Sequence, residues 1–440
     1  MIQKQMLLCL QLINGFGAHP GAWRLNGAAA DSYTNMDVFV RQAQAAERGK
    51  IQTLFFADTP VLDVDIRHEP PHFPIDPVVV MTAIARETQR VGLVATASTT
   101  FNHPYNLARQ FKALDVISNG RVGWNAVTTS NPDAAANFGA QPPARNEKYQ
   151  RAHEMIQIVQ GLWGSWGKNA LHVDVERGIY ADPEQILPQS LRGNHLASRG
   201  PLPIPPSPQG QPVIFQAGGG GAGMELAGRY ATGVYANPYD IASAVAQREE
   251  LRAAAVEAGR SADEIKMFVG FMPSIADSRE AAIARRRYLD QAVDVRTRVH
   301  YLGNMVGLDL THHDIDQPLP EAERPLARIA STDPRAPRAL EVLLQGWSLR
   351  DVIAHGVIDY HPVVAGTASD VADHMQAWFE AGACDGFSLA IDCFHDGIDR
   401  FVDEVVPILQ QRGLFHLEYS GTTLREHLGA PFQYGRDERL

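Results

Sequence analysis

Cysteine is scarce in this chain: three among 440 residues, at Cys9, Cys384 and Cys393. Three thiols supply neither a disulfide framework nor a paired zinc motif, and their scarcity points to a reducing, cytoplasmic setting. Positive charge is also thin. The formal net charge is −11, and no Lys/Arg run exceeds Arg285-Arg286-Arg287. Nucleic acid and anionic membrane are therefore poor partners. No apolar run reaches the roughly 18 residues of a membrane span. Met6 to Ile13 is short and apolar, but its positive flank is Lys4 alone and Gln11 and Asn14 interrupt it. A first strand, not a signal peptide, is expected there. The first strand ends without an H-x-H pair and no H-x-x-E-H spacing occurs, so no metal centre is expected. No repeat of solenoid period is visible.

What is present is alternation. Eight apolar, β-branched runs read as buried strands: 7–13, 53–57, 91–97, 122–127, 212–217, 232–236, 266–275 and 386–391. Segments of helical spacing stand between them, at 35–48, 78–88, 106–118, 145–162, 224–230, 241–258, 279–299, 367–381 and 398–411. In 106–118, Leu107, Phe111, Leu114 and Ile117 form one apolar face, and Asn119-Gly120 closes it. Strict strand–helix alternation argues for a parallel sheet covered by helices. Eight such units fit a (β/α)8 TIM barrel with two large insertions, about 164–210 and 301–362, in a single domain spanning 1–440. An open doubly wound sheet is the alternative. The tail beyond Gly413 is polar and mixed, and is expected to pack on a partner subunit.

Three places bear chemistry. The first is Gly218-Gly219-Gly220-Gly221-Ala222-Gly223 after the fifth strand, with Asp240 further on. It matches G-x-G-x-x-G only formally, because that fingerprint belongs to a first βα unit. The physics holds without the label: glycines let backbone N–H groups approach an anion at a helix N-terminus. Four consecutive glycines are entropically costly for a mere turn, so a phosphate cradle is expected. The second is the set Asp58, Thr96 to Thr100 and Asn125 to Ser130, with Thr128 among them. All stand at strand carboxyl ends, which converge on one mouth in a barrel. The third is the histidines. His19, His68, His72, His103, His312, His313 and His361 fall in loops, where most are solvent-facing and one or two meet a substrate.

The blocks HPGAWR (His19 to Arg24), FFAD (Phe55 to Asp58), TASTT (Thr96 to Thr100), PYNLARQFKALDVISNGRVGWNAVT (Pro104 to Thr128), NFG (Asn137 to Gly139) and PQGQPVIFQAG (Pro208 to Gly218) resemble the bacterial luciferase-like flavin monooxygenases. The resemblance is strongest to the group that includes nitrilotriacetate, dibenzothiophene-sulfone and long-chain-alkane monooxygenases, and it covers nearly the whole chain. It implies a TIM barrel, FMN delivered as FMNH2 by a separate NAD(P)H:flavin reductase, and O2 activation at the flavin C4a to oxidise a small organic substrate. Carried over by position, Asp58 and Thr96 would meet the ring system, and Thr128 and Tyr149 would contact the flavin. Arg145, Gly219 and Gly220 would meet the phosphate. Arg145 stands where many members have a His, and Gly220 where they usually have a Ser. His19, Trp23 and His312 would line the substrate side, with His19 and His312 as candidates for proton transfer. The two insertions would form a lid. A homodimer or homotetramer is expected. Competing readings are a deazaflavin-dependent hydride-transfer enzyme on the same barrel, a non-catalytic flavin-binding protein, and a metal hydrolase.

Overall fold

Each apolar run becomes a strand because it can bury both faces, one against the helices outside and one against the other strands' side chains inside. In the computed structural model, which describes residues 4–217 and 220–434, these are β1 (Leu7–Leu12), β2 (Thr53–Phe56), β3 (Gly92–Ser98), β4 (Val122–Val127), β5 (Val213–Ala217), β6 (Gly233–Ala236), β7 (Lys266–Ile275) and β8 (Gly386–Leu389). Neighbours pair in parallel in chain order, and β8 returns to β1. The sheet is therefore closed, a TIM barrel, and the open-sheet alternative is excluded. A ninth short strand, Val363–Gly366, extends only the far end of β7.

The barrel is sealed at its N-terminal end. Cys9, Phe55, Val94, Val213, Phe215 and Phe268 pack inside it with Leu424 and Leu428. Those two leucines belong to a short helix, Leu424–Leu428. A Cβ at Gly92 would stand 2.5 Å from the Leu424 side chain, so the strand carries glycine where the plug enters. As far as residue 434 the tail packs against its own barrel, with Leu424 and Leu428 against the barrel interior.

The insertions are ordered. The first carries two antiparallel hairpins, Leu171–Asp174 with Ile179–Ala181 and Leu191–Arg192 with Ala197–Ser198. The second is helical, with Val295–Val306, Ala336–Leu344 and Leu349–Ala354, and it encloses its own core of Val299, Leu302, Met305, Val342, Leu343 and Val352. The single helix expected over 279–299 is two, Arg279–Asp290 and Val295–Val306. Asp294 makes the break: its carboxylate caps the second helix by accepting from the N–H groups of Arg296 and Thr297. Among the described residues no helix is long and apolar enough to cross a membrane.

Candidate functional site

Side chains alternate in and out along a strand, so each barrel strand sends one residue inward just below its carboxyl end. On β3 and β4 these are Thr96 and Asn125, both buried, with Asn125 Nδ2 donating to Thr96 Oγ1 at 2.9 Å. The other half of the amide, Asn125 Oδ1, is buried without a hydrogen-bond partner. A buried acceptor without a partner calls for an explanation, and a ligand N–H is one. On β1 and β8, Gln11 Nε2 donates to Ser388 Oγ at 3.1 Å. Beside β7, on β6, the hydroxyl of Tyr235 is 3.2 Å from His361 Nδ1.

Asp58, just past β2, is half-buried. Burial, reinforced by Asp76, pushes its carboxyl up to about 6, so it changes charge near neutrality. The native fold thus holds this proton more tightly than the unfolded chain does. The resulting stabilisation is complete below about pH 4 and is lost as pH rises through 6. Asp58→Asn should therefore melt at a higher temperature than the wild type at pH 7.5. That advantage should shrink at pH 4.5 in the same thermal-melt assay; a pH-independent difference would show that Asp58 titrates normally.

The hydroxyls at 98–100 serve the loops more than the mouth. Ser98 Oγ lies 2.7 Å from Thr129 Oγ1, Thr99 Oγ1 donates to the Val127 carbonyl at 3.0 Å, and Thr100 Oγ1 accepts from the Thr129 N–H at 3.1 Å. They lash the loop after β3 to the loop after β4. Thr128 is half-buried in that second loop.

The anion end lies after β5. Gly220 precedes the helix Gly221–Tyr230 with φ of 88°, and Gly221 has φ of 44°, values that residues with a Cβ adopt only with strain. A Cβ on Gly223 would lie 3.4 Å from the Tyr149 hydroxyl, so that hydroxyl stands over the first turn of the helix. Tyr149 comes from the helix Arg145–Trp163, whose first turns also carry exposed Arg145 and half-buried Lys148. Partial burial and the Arg145 charge lower the Lys148 ammonium, and Lys148 Nζ bonds Ser130 Oγ. Backbone donors and a phenol meet here, and two cations share the helix end that carries the phenol. Gly219, the remaining predicted contact, lies outside the described residues.

The histidines divide. His19 is buried with both ring nitrogens engaged: Nδ1 accepts from the Gly21 N–H at 3.0 Å, and Nε2 lies 3.2 Å from Asp290 Oδ1. Burial, then the Arg286 charge, lowers its basicity. Trp23 is exposed and donates to the His68 carbonyl at 3.1 Å. His312 stands exposed in a turn of the helical insertion. One spacing escapes the sequence reading: His68-Glu69-Pro70-Pro71-His72 spells H-E-x-x-H. That zinc spacing works only on a helix, where i and i+4 share a face, and here two prolines hold it in a non-helical loop. Among the described residues no group of three or more His, Cys, Asp or Glu is placed to hold a metal ion. Tyr235 is missed by the sequence reading. Its signal was the inward register of β6, which one strand cannot reveal.

The family model for luciferase-like monooxygenases matches residues 19–384. The N-acetyl-S-(2-succino)cysteine monooxygenase of Bacillus subtilis (strain 168) is 38% identical over 437 residues, covering 97% of each chain. Among solved structures, the EDTA monooxygenase of Chelativorans sp. BNC1 superposes with a TM-score of 0.83 at 33% identity, over 97% of this chain and 99% of that one. A riboflavin lyase solved with modified FMN and riboflavin has a TM-score of 0.77 at 30% identity, over 97% of this chain and 96% of that one.

Proposed function

This chain belongs to the luciferase-like monooxygenases, and we propose that the mouth built by Asp58, Thr96, Asn125 and the Gly220–Gly223 turn is where it holds FMN. It is a two-component flavin-dependent monooxygenase that takes reduced FMN from a separate reductase and oxidises a small organic substrate with O2. The orphaned acceptor Asn125 Oδ1 carries the site assignment. It matches a ring N–H of the isoalloxazine, while the glycine turn on the next strand matches the phosphate.

Thr96 accepts from the Asn125 amide and fixes its orientation, leaving Oδ1 for the flavin. Backbone N–H groups of the glycine turn, the Tyr149 hydroxyl and the Arg145 and Lys148 cations take the phosphate. Without a serine at 220, the cations carry more of that load. Asp58 and Thr128 border the ring. Reduced FMN, when bound, supplies the electrons that activate O2. The protein's part is to orient it and exclude water, using the loops after β2 to β4 and the two insertions. His19 has no free nitrogen, so it acts by fixing its loop to Asp290. His312 reaches a substrate only if its turn moves over the mouth. The three cysteines are free and buried, which suits a cytoplasmic enzyme working beside its reductase as a homodimer or homotetramer.

The test is oxygen uptake by purified protein supplied with FMN, NADH and a flavin reductase, over a panel of small amines, sulfides, sulfones and carboxylates. One compound should couple uptake to incorporation of one 18O atom from O2. Reduction of a bound deazaflavin without oxygen uptake, and no 18O incorporation with FMN, would overturn it.

A further inference from the structure

A cavity of about 840 Å³ opens outside the barrel, among the helix Arg279–Asp290 after β7, the helix Ala368–Glu380 before β8, the ninth strand and the helical insertion. None of the groups assigned to the flavin lines it, and its size is that of a small-molecule site. The insertion contributes Trp347 and His355, with ring centroids 4.9 Å apart. The barrel side contributes His374 and Trp378, 5.5 Å apart, and the aliphatic side chains of Ile283 and Val364.

Both imidazoles keep nitrogens that the protein does not use. His355 ends the helix Leu349–Ala354, and its Nδ1 lies 2.7 Å from the Asp351 carbonyl. A carbonyl oxygen only accepts, so the proton sits on Nδ1 and Nε2 keeps its lone pair. Among the described residues no hydrogen bond reaches His355 Nε2 or either nitrogen of His374. None of these three atoms is wholly buried, so each touches open space, and both rings line this cavity. Burial pulls His374 down to about 4 and lowers His355 as well, so both rings are neutral at pH 7.

The charges at the rim are already matched. Arg279 pairs with Asp370, Arg287 with Asp351, Arg335 with Asp333, Arg338 with Glu341, and Asp373 with Arg412. Glu280 is held by its own N–H and by Ser278. A charged ligand would shed water here and meet no unpaired counter-charge among the described residues.

We propose that this cavity is a second small-molecule site, separate from the flavin mouth, for a neutral aromatic compound whose O–H or N–H donates to His355 Nε2. Its ring lies against Trp347 and Trp378, where aromatic contact adds to the area buried. The insertion supplies part of the site and the barrel helices the rest, so an occupant holds the two together.

The experiment is equilibrium dialysis of indole against the full chain at pH 7, with and without FMN. Indole should bind at one site in both cases. N-methylindole, which has the ring but no donor, should bind about three- to tenfold more weakly, and anionic indoleacetate at least tenfold more weakly. His355→Phe should weaken indole to the level of N-methylindole and leave N-methylindole unchanged, a difference that a merely structural role would not produce. Ala284 lines the cavity from an exposed position on its helix. Ala284→Trp should therefore fill the space and abolish indole binding, with the melting temperature and FMN affinity unchanged. Should His355→Phe misfold, Ala284→Trp decides in its place. Absence of indole binding, wild-type binding in Ala284→Trp, or equal weakening of both indoles by His355→Phe overturns the proposal. So does a fall in oligomer mass on Ala284→Trp in light scattering with no indole bound by the wild type, which would mean that a second copy of the chain covers the cavity.

Discussion

Riboflavin should bind this protein at least 100-fold more weakly than FMN. The two ligands differ only in the phosphate, and the structure concentrates its anion-binding groups at one place. Gly220 and Gly221, with φ of 88° and 44°, turn the backbone into the helix Gly221–Tyr230, whose N-terminal N–H groups have no partner within the helix. Tyr149 stands over that turn, and Arg145 and Lys148 share its helix end. A hydrogen bond to a charged group is worth about 1.5–3 kcal/mol. Two such bonds give about 3–6 kcal/mol, or about 140-fold to 20,000-fold. Arg145 is exposed and screened, so the lower end is the expected one. Quenching of flavin fluorescence on titration measures both constants. Gly221→Val should narrow the gap, because valine resists that φ and would push the turn away. Equal affinities for the two flavins would remove the cradle from the site.

Replacing Arg286 with Met should cost about 3–5 kcal/mol of stability, the usual consequence of stranding one member of a buried ion pair. Arg286 is fully buried. It bonds Asp359, donates to the Ala354 carbonyl at 3.3 Å and meets Met272 Sδ at 3.1 Å. Its charge, with that of Arg298, holds the Asp359 carboxyl far below the usual range against the opposing effect of burial. Without Arg286, Asp359 keeps Arg298 alone. Urea unfolding reads the loss, and Arg286→Met with Asp359→Asn should recover part of it, since the Asp359 carboxylate is then no longer left short of a partner. Arg279→Met is the contrast. Its bond to Asp370 is mostly in solvent, and its midpoint should barely move. A similar midpoint for both variants would mean that burial does not set the value of these pairs.

The eight strands, their order and most helix ends were legible, because each is written in a few consecutive residues. Val122 to Val127 is apolar but for Asn125 and is bounded by Gly120 and Thr128, and it is β4 to the residue. The glycine turn was legible for the same reason. The break between Arg279–Asp290 and Val295–Val306 was not, since Asp294 reads as one more polar residue on a helix until its carboxylate is seen capping the second one. Ser98, Thr99 and Thr100 were legible as a polar cluster at a strand end, but not as the lashing of two loops. Which way a hydroxyl turns depends on the strand beside it, and that strand is chosen by the fold.

By itself the sequence determined periodicity, and periodicity determined a parallel barrel whose polar strand ends share one mouth. Only the tertiary structure decided which groups meet there. Gln11 and Ser388 are 377 positions apart, Tyr235 and His361 are 126, and His19 and Asp290 are 271. Strand register and helix faces arise from contacts within a few residues, so they survive in a linear reading. These pairs form only when β8 closes onto β1 and the helical insertion is clamped at Asp359. That closure is a balance of buried area and hydrogen bonding summed over the whole chain, which no local stretch contains.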